Sequence, residues 1–168
     1  SLKFFMMGLA YKQLEKLREN TNWMYESQNI SLNLEKLYSN LKEVETERRD
    51  YILDNQSSDA ERIIKKKIKN NEILLQFLRV AIKDSSVQQK NLAVLQDLIR
   101  RKYSLVDATF GDSLKFNATT VQQKKASLLA GKYLMKAISQ KVDEMQDIET
   151  KLLVQRRSDF LYSEKQTP

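Results

Sequence analysis

The apolar residues of this chain recur at alternating steps of four and three positions, and almost nothing interrupts them. Ile30, Leu34, Leu37, Leu41 and Val44 keep that beat early in the sequence. Leu128, Gly131, Met135, Ile138, Val142 and Met145 keep it near the other end. An α-helix turns once every 3.6 residues, so this spacing lays one seam down one side of each helix. The seams leave water only when the helices pack side by side. With three glycines and one proline (the final residue, Pro168), few positions force a helix to stop. The fold class is therefore all-α.

Where the pattern does break, the residues are polar and suited to capping. Asp54-Asn55-Gln56-Ser57-Ser58 closes a first helix over 4–53, and Ser58 followed by Glu61 has the form of a capping box. A second helix over 59–83 carries Ile64, Ile68, Leu75, Leu78 and Ile82 on one face and ends at Asp84-Ser85-Ser86. A third covers 86–115, with Leu92, Leu95, Ile99, Val106 and Thr109 on its seam. A fourth covers 119–161, after a turn at Phe116-Asn117 or Gly111. Short turns between four helices predict an antiparallel up-down-up-down bundle, formed as one domain over 1–168. At 1.5 Å per residue the first helix is roughly 75 Å long and the second roughly 38 Å, so the long first and last helices should overhang the inner pair. Phe4, Phe5, Tyr11, Phe160 and Tyr162 would cluster at that overhanging end, beside both termini.

Composition excludes much chemistry. There is no histidine and no cysteine, which removes the usual general base, the commonest metal ligand and any thiolate. The chain is read as a non-enzyme without cofactor or metal. The net charge of +7 comes from 29 basic and 22 acidic residues, but the two signs are interspersed, so no nucleic-acid partner is expected. The longest apolar run, residues 4–11, is far short of the roughly 20 residues that cross a bilayer.

Several polar residues fall on the seams. Arg48 and Tyr51 continue the first; Asn71 lies between Ile68 and Leu75; Lys102 lies between Ile99 and Val106; Glu149 and Arg156 flank Leu152. A buried charge is costly without a partner. If Phe4 stands level with Ser163, Arg48 faces Thr119, and Glu149 faces Arg18 at the far end, out of its reach. Arg48, Asn71 and Lys102 then form a candidate buried polar layer in the half away from the termini, with Glu45 and Glu47 as the nearest acids. Such a layer sets helix register, holds an anion or other ligand, or repacks during signalling.

Two segments carry more than periodicity. Glu45-Thr46-Glu47-Arg48-Arg49-Asp50-Tyr51-Ile52-Leu53 closes the first helix, and Met145 with Glu149, Leu152, Leu153 and Arg156 lies in the fourth. With Trp23 and the stretch from Gln88-Gln89 through Leu98-Ile99, they resemble the third type of CHASE domain, over roughly residues 15 to 157. On that match Glu45, Thr46, Arg49 and Tyr51 occupy the first motif's positions. Met145, Glu149, Leu152, Leu153 and Arg156 occupy the second's. Asp50 stands where the family usually has glycine.

The resemblance implies an extracytoplasmic sensory input domain of a transmembrane sensor histidine kinase, excised here from its flanking membrane spans and catalytic core. It also implies a cell-membrane location and a homodimer, and it supplies no common ligand; the topology, with the first and last helices continuing into the membrane, leads one to expect a signal relayed by helix displacement. The alternatives are a structural or adaptor bundle that docks partner helices, and the input domain of a chemoreceptor or cyclase.

Overall fold

The computed structural model describes residues 1–54, 59–110 and 120–166. They form four helices: α1 (Leu2–Asp54), α2 (Ala60–Ala81), α3 (Ser86–Phe110) and α4 (Val121–Lys165). No strand occurs among the described residues. The expected Ser58 cap, the third turn and residues 111–115 of the third helix lie outside the described residues. Ser85 caps α3 by accepting a hydrogen bond at Oγ from the Gln88 amide at 3.3 Å. At the start of α4, Thr120 and Gln123 form a reciprocal box. Thr120 Oγ1 accepts from the Gln123 amide at 3.3 Å, and Gln123 Oε1 accepts from the Thr120 amide at 3.0 Å. Each exchange satisfies amides that the first turn leaves without a helical partner.

α1 packs mainly on α2 and α4, and α3 packs mainly on α4. The α1 seam is the centre of the core: Leu34, Leu37, Leu41 and Val44 are fully buried, and Ile30 nearly so. Leu78, Leu95, Ile99, Ile138, Val142 and Met145 pack with Ile30, Leu34, Leu37 and Leu41, while Val44 packs with Ile64 and Val106. Burying each such side chain contributes roughly 1.5–3 kcal/mol, which is why spacing alone identifies the inward faces. Past Arg48 the seam steps by four to Ile52, which is 1% exposed, and not by three to Tyr51. Tyr51 is half-buried instead, its ring 4.5 Å from that of Phe110.

Contacts between helices run in opposite numerical order. Gln146 Nε2 donates to the Ser31 carbonyl at 3.0 Å, whereas Arg48 Nη1 donates to Ser127 Oγ at 2.9 Å. This corrects the expected heights. Arg48 meets Ser127, eight residues beyond Thr119. Glu149 shares a cavity with Ser27 and Trp23, well above Arg18, and Ser163 lies with Leu9, Lys12, Gln13 and Lys16, not with Phe4. Levelling the chain ends has no physical basis, because register is set where seams interlock. The first turns of α1 interlock with nothing among the described residues: Leu2, Phe4, Phe5, Met6 and Met7 are all more than 60% exposed.

Candidate functional site

Buried polar residues cross the core at three heights. Nearest the α2–α3 turn, Gln88 is fully buried and donates through Nε2 to the Met145 carbonyl (3.0 Å) and to Glu149 Oε1 (3.1 Å). Asn91 Nδ2 donates to Gln88 Oε1 at 3.4 Å, extending the network across the α3–α4 face. At mid-height Asn71 is fully buried and bridges three helices. Its Oδ1 accepts from Asn40 Nδ2 at 2.9 Å, and its Nδ2 donates to Tyr103 Oη at 3.1 Å. Burial pushes the Tyr103 hydroxyl up to about 12; the Asn71 hydrogen bond opposes this and the charge of Glu72 reinforces it. Matched amides of this kind fix register, because sliding one helix would strand buried donors.

The third height holds the charges. The side chains of Arg48 and Lys102 are fully buried, and that of Glu45 is 14% exposed. Glu45 takes Arg48 as a fork: Nη2 donates to Oε1 at 2.9 Å and Nε to Oε2 at 3.1 Å. Lys102 reaches from α3 and donates to Glu45 Oε2. The other guanidinium donors go to the Ser127 carbonyl (3.0 Å), Ser127 Oγ (2.9 Å) and Thr109 Oγ1 (3.4 Å). All five N–H groups of Arg48 are thereby used, as a guanidinium this deep in a core requires. Burial pushes the Glu45 carboxyl up, but its hydrogen bonds and charge attraction to Arg48 and Lys102 outweigh that and hold it below the usual carboxylate range. Burial pulls Lys102 down, and the Glu45 charge only partly restores it.

Gly131 makes the cluster possible. A Cβ there would run into Glu45 Oε1 and Arg48 Nη2 and lie 2.8 Å from Glu45 Cδ. Glycine inside a helix costs about 0.5–1 kcal/mol relative to alanine, so its place on the α4 seam needs such a reason.

The candidate polar layer thus resolves into two parts. Arg48 and Lys102 meet at one carboxylate, while Asn71 belongs to a separate network with Asn40 and Tyr103. Of the motif positions, Glu45 joins the charge cluster, and Met145 is fully buried. Glu45 pairs with Arg48, one helical step short of the Arg49 that its i, i+4 spacing favours; Arg49 is exposed. Thr46 Oγ1 donates to the Lys42 carbonyl at 3.0 Å. Leu152, which the seam spacing turns inward, and Leu153 beside it are only half-buried. Leu152 lines a cavity at the α2–α3 turn with Ser27, Ile30 and Ile82, whereas the cavity of Leu153 is lined by residues of α1 and α4 alone. Arg156 lies over the Trp23 ring, 3.6 Å from its centroid. Ser127, Thr109 and Gly131 escaped the sequence reading as members of the cluster; the one available signal was a glycine on an otherwise bulky seam. Among the described residues no group of acidic side chains could hold a metal ion.

A family model described as CHASE3 domain matches residues 20–159. Neither characterised proteins nor solved structures give a match.

Proposed function

The chain belongs to the CHASE3 domain family, and from that premise we propose that it is the extracytoplasmic input domain of a transmembrane sensor histidine kinase. CHASE3 is a sensory domain of signalling proteins. In this reading the four helices run up, down, up and down, and the ends of α1 and α4 point together toward the membrane.

The observation that carries the reading is the pairing of two very long helices. α1 has 53 residues and α4 has 45, against 22 and 25 for α2 and α3. At 1.5 Å per residue α1 extends about 80 Å and α4 about 68 Å. Beyond the α2–α3 turn only these two line the cavities, Leu17 and Trp23 lying with Leu153 and Phe160, and Leu9 with Ser163. A pair of continuous helices moves as a rod. A small shift set in the bundle is delivered at the far end as a piston, rotation or scissor displacement. Any signal that drives it must bind one packing better than the other.

Dimerisation belongs to the same proposal. Phe4, Phe5, Met6 and Met7 are 63–79% exposed on the terminal turns of α1, an apolar surface that a second copy would cover. Among the described residues no helix is long and apolar enough to cross a membrane, so the spans would flank this segment.

A cysteine introduced at exposed Tyr133 in the full-length protein, compared with the same protein lacking it, gives the topological test; this segment itself adds no background thiol. It should react with a membrane-impermeant maleimide on intact cells. Reaction only after lysis, or a gene encoding no apolar span on either side, overturns the proposal.

A further inference from the structure

Formal charges in the buried cluster do not cancel: one carboxylate, Glu45, faces two cations, Arg48 and Lys102. An excess positive charge in a core is unfavourable; burial already depresses the proton affinity of Lys102, and the Arg48 charge adds to that. Beside the cluster, and sharing Glu45 as part of its wall, a groove of about 840 Å³ opens between α1 and α4. That size lies within the usual range of small-molecule sites. Leu128, Leu129 and Met135 give it an apolar side, and Lys42, Arg49, Lys125 and Lys132 stand around it. None of the four cations has an acidic partner among the described residues; Lys42 lies only over the Tyr38 ring, at 5.9 Å. The one carboxylate in the wall is already neutralised by Arg48 and Lys102.

We infer that this groove binds a small amphipathic carboxylate, its chain against Leu128, Leu129 and Met135 and its charge among Lys42, Arg49, Lys125 and Lys132. The apolar wall requires a ligand with a hydrocarbon or aromatic body. The charge requires an anion, which also supplies the buried cluster with the negative charge it lacks. A single charge suits the groove better than a phosphate, because Arg49 is the one arginine among its lining residues and makes no convergent fork to cradle one. Because the groove joins α1 to α4, a ligand there contacts the two helices that would carry a signal. The inference therefore deepens the sensory reading by naming the class of ligand, but its test needs no signalling readout.

The probe is octanoate, titrated into the whole chain carrying ¹³C-labelled methionine methyl groups, with octylammonium and octanol as controls of matched chain length. Octanoate should shift the Met135 methyl saturably, and octylammonium should not. The double variant Lys125→Gln/Lys132→Gln, at exposed positions, should weaken octanoate at least tenfold with an unchanged helical circular-dichroism spectrum. An unmoved Met135 signal, equal binding of octylammonium, or unaltered affinity in the double variant overturns the inference. So does lysine-dependent capture by phosphatidylglycerol vesicles without octanoate binding, which would make the groove a lipid-surface contact. Any of these failures leaves the family assignment and the topology test untouched.

Discussion

Replacing Glu45 with glutamine keeps the shape of the side chain and removes one charge, leaving Arg48 and Lys102 buried without an acid. Both side chains are fully buried, so water cannot take the carboxylate's place without opening the bundle. Arg48 keeps its three bonds to Ser127 and Thr109, and Lys102 loses its ion-pair partner. Breaking a buried pair by removing one member costs roughly 3–5 kcal/mol. For a chain of this size each kcal/mol lowers the melting temperature by about 2–4 °C, so Glu45→Gln should melt roughly 6–20 °C lower. Adding Lys102→Met to that variant removes one stranded cation and should recover part of the loss, with a coupling above about 1 kcal/mol. Urea unfolding followed by circular dichroism measures both quantities. The pH dependence has a definite sign. Lys102 binds its proton more weakly in the folded chain than its ordinary value of 10.5, and losing Glu45 weakens it further. The variant should therefore gain stability as pH rises toward that value, because the folded state releases its proton first. In the parent chain the depressed Glu45 carboxyl contributes stability above its ordinary value of 4.5, and this is lost as pH falls through the lowered folded value. A cost below about 1 kcal/mol for Glu45→Gln, or strictly additive effects with Lys102→Met, would refute the account of this cluster.

Gly131→Ala would gain about 0.5–1 kcal/mol in an ordinary helix interior. Here the new methyl meets Glu45 and Arg48, and urea unfolding should show a loss of roughly 1–3 kcal/mol. Leu41→Ala, at a fully buried position of α1, should cost about 2–5 kcal/mol, while Leu32→Ala, 51% exposed on the same helix, should stay within about 0.5 kcal/mol in the same assay. Removing the guanidinium over the only tryptophan, by Arg156→Ala, should change Trp23 emission at a stability cost of no more than about 1 kcal/mol; an unchanged spectrum argues against the contact. In a spectrophotometric titration Tyr103, one of the seven tyrosines, should ionise near 12, and Tyr103→Phe should abolish the step at that pH.

What could be read without coordinates was most of what depends on residue spacing along one helix; the step past Arg48, taken to Tyr51 where Ile52 is buried, was not. The α1 seam from Ile30 to Val44, the core faces of the other helices and the Ser85 cap follow from local periodicity and local hydrogen bonding, which the order of residues specifies directly. Even the anomalous burial of Arg48, Asn71 and Lys102 was visible, because each occupies a seam position where an apolar residue belongs. The acid was also nominated, since Glu45 lies within a helical turn of Arg48.

Tertiary structure alone decided how the helices stand against one another. A seam repeats every turn or two, so sliding one helix past its neighbour by a whole repeat preserves the apolar match. That degeneracy is why the expected facing of Arg48 and Thr119 was wrong by eight residues. It was lifted by the features that do not repeat, the Glu45–Arg48–Lys102 cluster seated over Gly131 and the Asn40–Asn71–Tyr103 ladder. The groove beside the cluster exists only in the assembled pair of α1 and α4, because its walls come from residues some eighty positions apart in the chain. Spacing determined which side of each helix faces inward; the burial of unlike charges at one height determined which helical turns meet.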